Sequence, residues 1–409
     1  MRISTIQAFN NGISGIQKNY ANAIRTQEQI STGNRILTPA DDPVASVRLL
    51  QLEQQQNTLN QYSENLTAAK NALSQEEVTL NSVNTVLLRI RELAGEAGNG
   101  SRSADDLKSI AAELGEREEE LYGLMNTRNA RGEYLFSGFQ GKSQPFVRQG
   151  DGSYSYQGDE GQRKLQIPSS VNMAISDSGK AIFQNIINAD RLDSQVIPVG
   201  ASLKASAPLV QDETAFAAGN GFPQNGIAIE FAAAPNERTY SIINQDDNSV
   251  IGTGELDKES SDANRLVFNG VTIKLDGAPQ GGEQVLITND PAKQKQSVLD
   301  TIGNLRRALE DNVGAAGVSD AVAAALTNLD HAMTNVDGVR GSIGARMNVI
   351  ETTLTDNENV SLVNQATQRD LREVDYAEAL SRLALQSTVL EAAQQSYVKI
   401  SGLSLFNKM

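Results

Sequence analysis

The chain has 409 residues, no Cys, no Trp, only 5% aromatic residues and a formal net charge of −15. Zero Cys excludes disulfides and thiolate metal sites, and the acidic balance argues against nucleic acid, whose phosphates call for a basic stripe. No apolar run approaches the roughly 20 residues that span a bilayer, so no membrane partner is expected.

The opening residues, MRISTIQAFNNGIS, lack the apolar core of a secretory signal, which makes the cytoplasm the default compartment. Charge is uneven along the chain. Residues 191–290 carry six Lys/Arg and fourteen Asp/Glu, a net −8, whereas residues 1–40 carry four Lys/Arg and one Glu, a net +3. The middle therefore reads as the solvated part and the ends as the assembled part.

In chain order, Ile6, Phe9, Ile13, Ile16, Tyr20, Ala23, Gln27 and Ile30 recur in steps of three and four, the spacing of a coiled-coil seam. Gly33 ends this helix. Residues 34–43 carry two Pro and an Asp pair, which predicts a rigid loop with Asp42 as N-cap and Pro43 opening the next helix. Asp41 and Asp42 read as capping groups rather than catalytic or metal-binding ones.

Leu52, Leu59, Leu66, Leu73, Leu80 and Leu87 then recur every seven residues, with Tyr62, Ala69, Val83 and Ile90 three places further on and Glu76 as the polar exception. This predicts a helix from Pro43 to about Ala97, roughly 80 Å long at about 1.5 Å per residue. Ser103 caps a shorter helix whose apolar face holds Leu107, Ile110, Leu114, Leu121 and Met125.

From Gly132 the pattern turns to short strands, predicted over Tyr134–Phe136, Tyr154–Tyr156 and Lys164–Ile167. From about 191 a separate β domain is expected, with strands at Ile227–Phe231, Thr239–Ile243, Arg265–Phe268, Val271–Leu275 and Gln284–Thr288. Asn269-Gly270 signals a type I′ hairpin turn.

Helix resumes near Pro291, with Val298, Ile302, Leu305 and Leu309 on one face. A Gly-Ala-Ala-Gly break is expected before a seam running from Leu326 to Leu354, and a polar stretch, Thr355–Asn359, before the last one. That last seam holds Tyr376, Leu380, Leu383, Ser387, Leu390, Gln394, Tyr397 and Ser401.

Chemical motifs are weak. His331 has no nucleophile or orienting acid placed beside it by any motif. Gly141-Lys142-Ser143 resembles the end of a phosphate loop, but the Gly that loop needs is Phe136 here. Asn244, Asp246, Asn248 and Glu255 match calcium-loop positions, but Ser249 replaces the turn Gly and the flanks read as strands. No catalytic residue, cofactor or metal site is expected.

Several stretches carry a family resemblance: Met1-Arg-Ile-Ser-Thr5, Ser31-Thr-Gly-Asn-Arg-Ile36 leading into Asp41-Asp-Pro43, Gly132-Glu-Tyr-Leu-Phe-Ser-Gly138, Leu390-Glu-Ala-Ala393 and Ser404-Leu-Phe406. The chain resembles bacterial flagellin-type axial proteins, most closely the hook-associated proteins of the hook–filament junction. The likeness covers roughly residues 1–170 and 290–409. Pro39-Ala-Asp-Asp-Pro43 departs from the family's Pro-Ser-Asp-Asp-Pro in one place and keeps the cap.

The resemblance implies a non-enzymatic structural protein, outside the cell on the flagellum, exported through the flagellar type III channel. That overrides the cytoplasmic default. Implied partners are another hook-associated protein, flagellin, further copies in a ring or helical layer, and an export chaperone at the C-terminal helix. A flagellin subunit and a non-flagellar coiled-coil adaptor displaying an acidic β domain stay open as alternatives.

The expected fold is α+β, elongated and multi-domain, with terminal coiled-coil helices, a long helical bundle with a small β region, and an inserted outer β domain. The expected division is an N-terminal assembly helix (1–42), a rod (43–190), the outer β domain (191–290), returning rod helices (291–360) and a C-terminal assembly helix (361–409). The expected assembly interface is Ile6, Phe9, Ile13, Ile16, Tyr20, Ile30, Tyr376, Leu380, Leu383, Leu390 and Tyr397. Because each terminal seam exposes one apolar stripe, residues 1–40 and 365–409 are expected to fold only on assembly.

Overall fold

A computed structural model describes residues 2–167, 171–198, 203–218, 222–234, 236–256, 265–311 and 313–406; the side chains of 2–6, 8, 171 and 401–406 also lie outside that description. The fold is α+β. It divides into two compact units, one formed by Met1–Leu66 with Glu351–Met409 and the other by Thr67–Ile350.

The first unit is helical. Helix α1 (Arg2–Thr32) ends at Gly33, whose φ of 72° is the left-handed conformation a helix stop favours. In the following loop the Asp41 carboxylate accepts the backbone N–H groups of Leu37 and Thr38, both at 2.9 Å, and pairs with Arg25. Asp42 is the cap, accepting Ala45 N–H at 3.0 Å, and helix α2 (Pro43–Ala97) starts at Pro43 as predicted.

On α2, Leu66, Leu73, Leu80 and Leu87 are all buried, so the heptad reading of that face holds. Truncating one of these to Ala would cost about 2–5 kcal/mol, the sum of lost transfer energy and the cavity left behind. Ser103 opens helix α3 (Ala104–Met125) with a reciprocal capping box to Asp106.

In the second unit, Tyr134–Phe136 is not a strand. It is a single bridge, Arg128 to Tyr134, followed by a turn, because Leu135 N–H donates to Thr127 O and Tyr134 N–H to Gly141 O. Two antiparallel ribbons follow: β1 (Phe146–Arg148) with β2 (Tyr154–Tyr156), and β3 (Lys164–Ile167) with β4 (Val171–Ala174). The short β5 (Ile186–Ile187) pairs with β15 (Lys295–Gln296).

The predicted outer β domain is two antiparallel sheets sharing one apolar core. Its strands are β6 (Leu192–Ile197), β7 (Lys204–Ala205), β8 (Leu209–Val210), β9 (Ile227–Phe231), β10 (Thr239–Asn244), β11 (Val250–Glu255), β12 (Arg265–Phe268), β13 (Val271–Asp276) and β14 (Gln284–Asn289), with the short helix α4 (Glu213–Ala217) after β8. One sheet runs β11-β10-β9-β14-β6; the other runs β12-β13-β7, with β8 also on β13. Alternate residues Ile227, Ile229 and Phe231 of the first sheet and Val271, Ile273 and Leu275 of the second meet in the core. Asn269 and Gly270 have φ of 44° and 77°, as a type I′ turn requires.

Helix α5 (Val298–Glu310) begins at the cap Ser297 and buries Val298, Ile302, Leu305 and Leu309. Gly314-Ala-Ala-Gly317 is not the expected break: helix α6 (Gly314–Arg372) starts at Gly314. Nor does Thr355–Asn359 interrupt it. Asn357 is buried there and donates to Leu59 O at 2.8 Å, which satisfies a polar side chain without opening the helix. Seven residues on, Asn364 donates to Leu52 O at 2.9 Å, also on α2, so the pair fixes an antiparallel register. Asp375 then caps helix α7 (Tyr376–Phe406), accepting Ala377 N–H at 2.9 Å.

Candidate assembly surface

Helices α1 and α7 lie against each other in the first unit. The Phe9 and Tyr397 rings approach to 5.1 Å between centroids, and a Cβ on Gly12 would meet the Tyr397 ring at 3.4 Å. The residues of α7 turned inward are Ala379, Leu383, Gln386, Leu390, Ala393 and Tyr397. On α1 they include Gly12, Ile16, Asn19, Ala23, Thr26 and Ile30. Both stripes recur in steps of four and three.

These stripes share Ile16, Ala23 and Ile30 with the predicted seam of α1, and Leu383, Leu390 and Tyr397 with that of α7. Elsewhere they are displaced by one residue, as from Tyr20 to Asn19 and from Leu380 to Ala379. Ile13 is half-buried beside the seam. Four of the larger predicted seam residues remain about half exposed: Phe9 at 46%, Tyr20 at 57%, Tyr376 at 53% and Leu380 at 54%. The side chains of Ile6 and Ser401 lie outside the described residues.

Sequence reasoning missed other exposed apolar residues in this unit. Val44, Val47 and Leu50 follow one another on α2; Val360, Leu362 and Val363 lie on α6; Leu385, Val389, Val398 and Ile400 lie on α7. The available signal was an apolar residue off the heptad stripe, which periodicity discards as surface scatter. So many large apolar groups on one set of helices is more than scattered exposure explains.

The second unit contains buried polar clusters. Glu76 is buried, accepts Asp177 N–H at 3.1 Å, and has its carboxyl pushed up to about 8, first by burial and then by the Asp177 charge. Glu118, also buried, accepts Tyr154 O–H at 2.7 Å and Arg306 Nε at 3.0 Å. Burial, then that bond to Glu118, pushes the Tyr154 phenol upward. Arg191 grips Glu213 with two bonds of 2.7 Å and stacks over Phe216 at 4.5 Å. His331 Nδ1 lies 2.9 Å from Ile187 O, so the lone histidine packs rather than standing beside a nucleophile.

Three of the residues at calcium-loop positions, Asn244, Asp246 and Asn248, lie at the turn between β10 and β11. Asp246 accepts the N–H groups of Gln224 and Asn225, and Asn248 adopts a φ of 57°. Among the described residues no three His, Cys, Asp or Glu side chains are grouped to hold a metal ion, and no helix is long and apolar enough to cross a membrane.

Both ends of this chain match flagellin family models. Residues 3–141 match the bacterial flagellin N-terminal helical region and residues 326–407 the C-terminal helical region. Flagellar hook-associated protein 3 of Salmonella typhimurium is 30% identical over 267 residues, 65% of this chain and 82% of that protein. The protein of the same name from Escherichia coli is 25% identical over 406 residues, 99% of both chains. The crystal structure of the flagellar junction protein FlgL from Legionella pneumophila superposes with a TM-score of 0.61 at 25% identity, covering 80% of this chain and all of that one. The chain belongs to the flagellar hook-associated protein 3 family.

Proposed function

We propose that this chain is a non-enzymatic structural junction of the bacterial flagellum, linking the hook, through another hook-associated protein, to the flagellin filament. What carries the reading is the apolar surface that Phe9, Tyr20, Tyr376 and Leu380 leave in solvent beside a closed α1–α7 seam, in a chain of this family. Ile6, Phe9, Ile13, Ile16, Tyr20, Ile30, Tyr376, Leu380, Leu383, Leu390 and Tyr397 form its assembly interface. Some of them hold α1 against α7 and the rest meet neighbouring subunits in a ring or helical layer.

Residues 1–42 and 361–409 act as assembly helices, 43–190 and 291–360 as the rod, and 191–290 as the acidic outer domain. The protein leaves the cell through the flagellar type III channel, with an export chaperone covering the apolar residues of α7 beforehand. The alternative of a flagellin subunit is weaker, because relatives matched along 82% and 99% of their length carry the hook-associated name. The adaptor reading loses its basis with the flagellar family assignment. Quantitative mass spectrometry of isolated flagella separates the first two. A junction protein is present at a small fraction of the flagellin count and enriched at the hook end. A count comparable to flagellin, spread along the filament, contradicts the proposal.

A further inference from the structure

The β3–β4 ribbon carries a protruding aromatic residue on one face and an apolar cavity on the other. Strand alternation produces this: Gln162 and Lys164 line the shallow space beside Phe139, whereas Arg163 and Leu165 line a separate cavity of about 340 Å³. Phe139 is 67% exposed.

The loop that presents Phe139 is rigid. The Asp159 carboxylate accepts the N–H groups of Phe139 at 3.0 Å, Gln140 at 3.1 Å and Gly161 at 2.7 Å. Those bonds also hold its carboxyl below the usual carboxylate range, so it stays charged. The ring lies directly on Gly161, where any Cβ would sit 2.1 Å from it, and Gly138 is left-handed at φ 70° with no room for a side chain against Asp159. An aromatic group fixed in solvent at this cost in backbone freedom is a preorganised anchor.

The cavity on the opposite face has a floor of Ala72, Leu135, Leu165 and Ile175 and a rim that includes Arg131 and Arg163. The recess is open to solvent, its lining also includes Asn71, Gln75, Glu76, Asn129 and Ser176, and its volume exceeds that of a phenyl ring. Charged groups border both features. Arg131 and Arg163 share the single carboxylate of Glu133, leaving a surplus positive charge at the cavity. Beside the phenyl ring stand Asp159, which has no cationic partner among the described residues, and Glu160, which pairs with Lys180 at 2.5 Å. Lys164 lines the same space as the ring.

We propose that Phe139 of one copy enters the cavity bounded by Ala72, Leu135, Leu165 and Ile175 of the next copy, with Asp159 and Glu160 meeting Arg131. Two different surfaces on opposite faces of one ribbon make a head-to-tail contact, which propagates into a ring or helical layer rather than closing as a two-fold dimer. The inference rests on the proposed role as a self-associating flagellar component.

The chain has no Cys, so introduced thiols report cleanly. A double variant, Gln140→Cys beside the anchor with Asn71→Cys on the cavity lining, is oxidised in isolated flagella and in the free full-length protein at equal concentration. The expected result is a ladder of dimers, trimers and higher species in flagella, far weaker in the free protein. Single variants give no ladder. The chain present in flagella with no ladder, or a ladder of equal strength in the free protein, overturns the contact and leaves the junction role standing; absence of the wild-type chain from flagella overturns the junction role itself. Should the double variant fail to enter flagella, charge reversal decides. Arg131→Glu and Glu160→Arg each lower incorporation about five-fold and their combination restores it; equal incorporation of all three overturns the contact.

Discussion

Glu76 stands where the leucine repeat of α2 asks for an apolar side chain, and its environment keeps it uncharged. Burial and the Asp177 carboxylate push the carboxyl from 4.5 up to about 8, against the smaller opposing pull of Arg346 and Arg163. The unfolded chain ionises this group near pH 4.5, the folded chain only near 8. Between those values the folded state holds the extra proton, so stability falls as pH rises through that window and is level on either side of it. At pH 7 the penalty is on the order of 3 kcal/mol. Glu76→Gln keeps an acceptor for Asp177 N–H and removes the proton. Urea midpoints measured across the window are expected to fall with pH in the wild type more steeply than in the variant; parallel profiles would contradict the assignment.

Glu118 is a second buried carboxyl, bonded directly by Arg306 and Tyr154. Glu118→Ala leaves a partly buried guanidinium and a phenol without that acceptor and is expected to destabilise the second unit by about 2–4 kcal/mol, read as a lower thermal midpoint. The sequence marked Glu76 as an exception but could not explain it. Its partners Asp177 and Arg346 are about a hundred and more than two hundred residues away and belong to no shared motif.

Among the elements, strands with alternating apolar residues were legible almost to the residue, as in Ile227–Phe231 and Arg265–Phe268. Strand β11 was not, because Gly252 and Gly254 blank out its pattern. Both glycines are needed: a Cβ on Gly252 would press on the Phe268 ring at 3.1 Å and one on Gly254 would meet the Tyr240 hydroxyl at 2.3 Å. Gly270, in the predicted turn, combines a φ of 77° with Asp212 O only 2.2 Å from a hypothetical Cβ. Gly270→Ala is therefore expected to cost at least 1–2 kcal/mol, approximately, in the stability of the β domain, seen as faster amide exchange in β12 and β13. In the terminal helices, periodicity identified a seam but chose the wider apolar register. Ala379, Gln386 and Ala393 are turned inward in place of Leu380, Ser387 and Gln394, and the two alanines let the helices approach closely. A single-chain pattern cannot tell an apolar stripe that packs within the chain from one that packs against another copy.

For the whole molecule, the order of helices, β insert and helices was readable from composition and spacing, while the exposed apolar residues of α2 and α6 were not, since isolated valines and leucines carry no period. The exposed stripe of α1 and α7 leads to a prediction about the free protein. Ordering these helices is offset by burial only when neighbours cover Tyr20, Tyr376 and Leu380. In limited proteolysis of the monomer, trypsin is expected to cut first at Arg2, Lys18, Arg25, Arg382 and Lys399, leaving a resistant middle fragment. Equal resistance of both ends would show that the α1–α7 pair is stable alone.

The junction role itself is tested most directly by removing the gene from a motile strain and following flagellin. The account predicts that hooks are completed, that flagellin is exported and accumulates in the medium as monomer, and that no filament grows until the intact gene is restored. Normal filaments on the deleted strain would contradict it.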